Sequence, residues 1–288
     1  MKNSAKMRIL VFVIILACLT VASRFLPESS NFTMLFIMWM PGIAALLTSL
    51  VTWRSLKQVG WKPNWKWMGM GWLLPVFYGA IAFGIIWALG LGGIPKASFI
   101  ENGKLTMGMT SNNEILIIIA AFFYITILNL LPNMLFALGE ELGWRGFLVP
   151  ELNKITSFWK TALFSGIIWF GWHLPAILSG NYGAEGTPLW FQVVCFTVLV
   201  LAGAVVLAFL RLRSGSIWPC VIFHAVHNGV IQHFFTNLTA DTGKTEYFIG
   251  EFGIMVPLIS LFFAAYFLWK YNKQESHDIS AEILEVSN

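Results

Sequence analysis

Ile115–Leu138 is an apolar run long enough to cross a bilayer, and it leads directly into Glu140-Glu141-Leu142-Gly143-Trp144-Arg145-Gly146. A membrane-crossing helix needs about 20 mostly apolar residues. A charge at membrane depth costs about 2.5 kcal/mol or more, so such charges are rare and tend to mark function. Two readings compete. In one, the stretch is a turn just outside the membrane, with Glu141 and Arg145 as an i,i+4 helix pair worth about 0.3 kcal/mol. In the other, the two carboxylates are buried and carry chemistry. The rest of the chain decides between them.

Of the 288 residues, 57% are hydrophobic and 11% charged, and the mean hydropathy is +0.72. Soluble domains carry about 25% charged residues. The fold class is therefore an all-α, polytopic transmembrane bundle with the lipid bilayer as a partner. About eight spans are expected, at 8–25, 33–53, 69–92, 115–138, 159–179, 189–210, 216–235 and 250–269. Fourteen of the 18 Lys and Arg fall on one set of connections, leaving Arg24, Lys96, Lys104 and Lys244 on the other. Basic connections stay in the cytoplasm. This predicts that both termini are cytoplasmic, and the short loops point to a prokaryotic plasma membrane. No connection is long enough for a second domain, so residues 1–288 read as one membrane domain, with 272–288 a disordered, solvated tail. Trp53, Trp61, Trp65 and Trp67 interleave with Lys57, Lys62 and Lys66, a pattern suited to the headgroup layer. The basic residues form no single patch, which argues against a nucleic-acid partner. Cys18, Cys195 and Cys220 lack paired spacing and read as buried thiols.

Two further spans carry polar residues that lipid would not tolerate. His173 lies in Trp169-Phe170-Gly171-Trp172-His173-Leu174-Pro175, and Pro175 frees a backbone carbonyl near it. In the seventh span, His224, His227 and Asn228 lie at three- and four-residue spacing, on or near one helix face. Each could be structural: a histidine bonded to a neighbouring carbonyl, or a polar seam between helices. Together, however, three spans each bring a carboxylate or an imidazole into the membrane. Such a set suits activation of a water, with a glutamate as base, an imidazole orienting the water, and a His–Asn pair donating to an oxyanion. Glu140, His173 and His224 could equally be the ligands of a divalent metal such as zinc. There is no His-Glu-x-x-His sequence, and no motif of a serine or aspartyl intramembrane protease. A peptide-binding or immunity protein and a small proton-coupled transporter also remain open, although no inverted repeat supports the transporter.

Glu140-Glu141-x-x-x-Arg145, Trp169-x-x-x-His173 and His224-x-x-x-Asn228 together resemble the CAAX prenyl protease 2 family. This is part of the wider clan of CAAX proteases and bacteriocin-processing or self-immunity (Abi) proteins. The resemblance spans about 115–235, and Trp169 stands where the family more often has Phe. It implies an eight-helix intramembrane endopeptidase, open to the cytosol, acting on a peptide or prenylated protein substrate with either no cofactor or a divalent metal. Residue by residue, it implies Glu140 as base, His173 helping to hold the water, and His224 with Asn228 stabilising the oxyanion. Glu141 and Arg145 would orient the site, with the Trp169 ring as packing. Depth adds a constraint. A helix ending at Leu138 would leave Glu140 at the rim, about 22 Å from the level of His173 at 1.5 Å per residue. The chain is therefore expected to break at Pro132-Asn133 and to carry Glu140 on a helix that continues inside the membrane to about Val149.

Overall fold

The computed structural model describes residues 4–26 and 31–286. Helices dominate: α1 (Ala5–Ser23), α2 (Asn31–Val51), α3 (Trp65–Ala88), α4 (Ala97–Met107), α5 (Glu114–Phe123), α6 (Leu130–Gly143), α7 (Val149–Asn153), α8 (Phe158–Leu178), α9 (Leu189–Ser214), α10 (Trp218–His227), α11 (Thr236–Leu238) and α12 (Met255–Val286). Among the described residues the one extended pairing is an isolated bridge between Gly93 and Ala240. The backbone of α12 runs as helix through most of the expected tail. The Glu275, Asp278, Glu282 and Glu285 side chains, Lys2 and the last two residues lie outside the described residues.

Among the described residues, five helices are long and apolar enough to cross a membrane, or six if a bent pair counts as one span, where eight spans are expected. The bent pair joins Glu114–Leu128 to Leu130–Asn153 at 47°. The break falls at Asn129, three residues before the expected Pro132-Asn133. There the N–H of Asn129 turns back to the Tyr124 carbonyl, closing a π turn over Tyr124–Leu128. Pro132 sits in the first turn of α6, where a backbone donor has no intrahelical partner anyway, so proline costs little there. The seventh expected span is helical, as α10, a π turn (Asn228–Phe235) and α11. It carries three histidines, an asparagine and a glutamine, and is covered mostly by protein rather than lipid.

The helices pack side by side in a continuous series. Helix α6 lies between α2 and α10, α10 reaches α3, α3 meets α12, and α9 bridges α12 and α8. The α2–α6 crossing depends on glycine. A Cβ on Gly139 would stand 2.6 Å from the Trp39 ring, and one on Gly143 would stand 2.5 Å from Pro41. This four-residue glycine spacing is the small-residue seam that lets membrane helices approach closely. It fixes α6 on both sides of Glu140 and Glu141.

The two ends of the bundle differ. At one end Glu151 is fully buried and accepts from Arg54 at 2.8 Å, Arg8 at 3.4 Å and Lys154 at 2.5 Å. The 54–64 connection folds inward over this end. Arg211 donates to the Gln58 and Arg145 carbonyls, Ile217 N–H to the Gly60 carbonyl, and the Trp218 indole to the Trp61 carbonyl. Gly60, at φ 82°, comes so near the Gly215 carbonyl that a Cβ would stand 2.3 Å from it. At the other end gather the C-terminus of α1, the start of α2, the loop after α8 and the approach to α12.

Candidate active site

The bent α5–α6 arrangement resolves the depth problem. Glu140 lies 13 residues before Asn153 and His173 lies 15 residues after Phe158, about 20 Å and 22 Å along their helices. They sit at matching levels. Glu140 is 1% exposed, and its Oε2 accepts from two indoles, Trp169 Nε1 at 2.9 Å and Trp144 Nε1 at 3.1 Å. Both of these bonds fall on one oxygen.

Glu141 faces a different environment. Its Oε1 accepts from Arg145 at 2.8 Å and from His224 Nδ1 at 2.9 Å, while its Oε2 is buried without a partner. The Arg145 guanidinium lies 4.2 Å from the centre of the Trp169 ring. The same tryptophan thus bonds one glutamate and shields the cation that pairs with the other. Directly after the pair the helix widens into a π turn (Trp144–Leu148), and a second π turn starts at Asn228. Such widened turns recur at functional sites.

His173 Nδ1 donates to the Trp169 carbonyl at 3.0 Å. A carbonyl can only accept, so the neutral ring keeps its lone pair on Nε2. The ring packs against Trp172, Phe196 and Tyr182. His224 Nδ1 is the donor to Glu141, and its ring centre lies 5.7 Å from that of Trp169.

Glu140, His173, His224 and Asn228 all line one cavity of about 870 Å³, and Trp169 is on its wall. Glu141 and Arg145 do not line it; they stand behind it. Much of the remaining wall is apolar, with Ile37, Met38, Phe136, Phe196 and Val200. Among the described residues no three His, Cys, Asp or Glu side chains are placed to hold a metal ion, and the set Glu140, His173 and His224 is no exception. As arranged, these residues do not form a ligand shell.

The structure adds residues that the sequence reading had left structural or unremarked. Trp144 is the second donor to Glu140. A second polar seam lines the same cavity: His227 Nε2 donates to Glu251 Oε1 at 2.7 Å, Tyr182 donates its hydroxyl to Glu251 Oε2, and Tyr78 bonds His227 Nδ1. Glu251 had a visible signal, being a carboxylate at the start of an apolar run. The tyrosines had none.

Fold and site together define a polytopic helical bundle whose interior cavity is walled by carboxylate, imidazole and amide groups from separate helices. Residues 118–230 match the Rce1-like family, described as type II CAAX prenyl endopeptidase Rce1-like. A CAAX prenyl protease 2 of Methanococcus maripaludis is 31% identical over 116 residues, which cover 39% of this chain and 42% of that protein. The aligned stretch thus spans less than half of the relative's length. The resemblance read from the three motifs holds across the segment that carries all of them.

Proposed function

We propose that this protein is a CAAX-type intramembrane endopeptidase that hydrolyses a peptide bond with a water activated by Glu140. The observation that carries this reading is the convergence of Glu140, His173, His224 and Asn228, from three separate helical segments, on one mostly apolar-walled cavity. The Rce1-like match over the same segment supports it. In this reading the two indoles hold Glu140 by Oε2, and Oε1 takes a proton from the water. The lone pair on His173 Nε2 orients that water. Its oxygen adds to the scissile carbonyl carbon, and negative charge develops on the carbonyl oxygen. His224, held as an imidazolium against the Glu141 carboxylate so that Nε2 also carries a proton, and the Asn228 amide one turn later donate to that oxyanion. When the C–N bond breaks, Glu140 returns the proton to the leaving amine. Aimed dipoles in a water-poor cavity are worth more than in water, because nothing need reorganise during reaction.

Glu140 and Glu141 therefore divide the work. The first touches the reacting water; the second holds His224 and neutralises Arg145. The test is a purified protein in detergent with prenylated and unprenylated peptides, read by mass spectrometry. Wild type should shorten one of them, and Glu140→Ala should leave it intact while still eluting as a folded membrane protein. Cleavage retained in Glu140→Ala refutes the assignment. Binding without cleavage by wild type favours a non-catalytic peptide-binding or immunity role.

A further inference from the structure

Several polar groups on the cavity wall are committed to protein partners: Glu140 to two indoles, His173 to the Trp169 carbonyl and His224 to Glu141. Asn133 is not. It lines the cavity from α6, and among the described residues no protein group bonds its side-chain amide. Its neighbours Leu130, Leu131, Pro132, Met134, Leu135 and Phe136 are all apolar, so an amide there costs stability unless something satisfies it. Nor does Asn133 make the helix break, which falls at Asn129. Phe136 and Glu140 follow it three and seven positions later on α6 and line the same cavity, so all three share one helix face. Seven residues are about 10.5 Å of helix at 1.5 Å per residue. The α10 segment and its π turn run antiparallel beside this face. His224 meets Glu141, while a Cβ on Gly229 would lie 3.5 Å from Asn133 Nδ2. Asn228, whose amide also has no bonding partner among the described residues, stands between those two levels. Glu140, Asn228 and Asn133 thus form a row where α6 meets α10. An amide side chain offers both donor and acceptor, the complement of a peptide group. A peptide extended along the row advances about 3.3 Å per residue, so the distance from Glu140 to Asn133 is about three residues of substrate.

We infer that Asn133 hydrogen-bonds the backbone of the substrate about three residues from the bond that is cut. A backbone contact leaves the side chains unread, so Asn133 sets the register of the peptide over Glu140 rather than its sequence. This role rests on the hydrolase reading above, whereas peptide binding by Asn133 does not require cleavage. Leucine is close to asparagine in volume and suits an apolar helix. Asn133→Leu should therefore fold at least as well as wild type while holding the peptide less tightly.

The test compares wild type with Asn133→Leu in detergent. The probes are a fluorescently labelled prenylated peptide and a set in which one backbone amide at a time becomes an ester, which removes that N–H. Asn133→Leu should raise KM about 2- to 10-fold, the range of one neutral hydrogen bond. Because the contact is made equally in the ground and transition states, kcat should stay within about twofold. The unfolding midpoint should be unchanged or higher. In wild type, an ester about three residues from the cut bond should cost the same factor, and in Asn133→Leu that ester should cost nothing more. An unchanged KM, ester losses that add to the variant's at every position, or a lowered midpoint would overturn the inference. If Asn133→Leu does not accumulate, Asn133→Ala replaces it with the same expected KM and ester pattern; failure of both would mark a structural role and overturn the contact. A second arm measures peptide Kd by fluorescence anisotropy on Glu140→Gln, with and without Asn133→Leu. Weakening by the same about 2- to 10-fold, with no cleavage by wild type, would count against the hydrolase reading alone. Unweakened binding would overturn the Asn133 contact.

Discussion

Truncating Glu141 to alanine should destabilise the protein far more than changing Glu140, although the two are adjacent and equally acidic. Among the described residues, the fully buried Glu141 carboxylate is the hydrogen-bond partner of both the Arg145 guanidinium and His224 Nδ1. Arg145 is itself 1% exposed. Removing one member of a buried pair strands the other's charge, at a cost of about 3–5 kcal/mol. Glu141→Gln keeps an acceptor in place and loses only the charge-assisted part of the two bonds, so it should cost about 1–2 kcal/mol. Adding Arg145→Met to Glu141→Ala removes the stranded cation and should recover a large part of the loss. Glu140→Gln should change stability by less than about 1 kcal/mol, because both indole bonds still find an oxygen. The assay is thermal or denaturant unfolding of detergent-solubilised protein, followed by tryptophan fluorescence or monodisperse elution. An order of loss in which Glu140→Gln exceeds Glu141→Ala, or a double variant no better than Glu141→Ala, would refute the assignment of Glu141 to support and Glu140 to chemistry.

Other outcomes follow from the same geometry. Replacing His224 or Asn228 with alanine should slow cleavage by about 10²-fold or more if each donates to the oxyanion; peptide turnover with unchanged elution volume checks this. Gly139→Ala should loosen the α2–α6 seam by about 1–3 kcal/mol, because the new Cβ meets the Trp39 ring and the Met38 carbonyl at under 3 Å; a shift in the unfolding midpoint reads it. Glu151→Ala should cost about 3–5 kcal/mol by stranding Arg54 at the end covered by the 54–64 connection, while the peptide affinity of the protein that remains folded stays the same. Chelator treatment should leave cleavage intact, since Glu140, His173 and His224 are not placed as a ligand set; activity lost to chelator and restored by zinc alone would contradict that.

Much of this was legible in the chain because lipid makes polar residues conspicuous. Glu140, His173, His224 and Asn228 each interrupt an apolar run, and a shared cavity is the economical reason for such interruptions. The broken helix was also legible, because the depth of His173 required it. Its position was not, since Pro132 fits a first helical turn and Asn129 alone marks the bend. Composition alone reads the seventh expected span poorly because that segment is wrapped by protein: α10 and its π turn need not be apolar all round. The closeness of α6 to α2 had a signal in the spacing of Gly139 and Gly143, which flank the very residues being weighed. The Tyr78–His227–Glu251–Tyr182 seam joins positions far apart in sequence, and nothing local to any of the tyrosines announces it.

The most direct measurement is peptide cleavage in water enriched with oxygen-18, comparing wild type with Glu140→Gln at matched peptide occupancy. A Glu140-activated water predicts one heavy oxygen in the newly formed carboxyl group and a rate at least about 10²-fold lower in the variant, with peptide binding retained. Equal turnover by the two proteins, or a product carboxyl without the heavy oxygen, would contradict it.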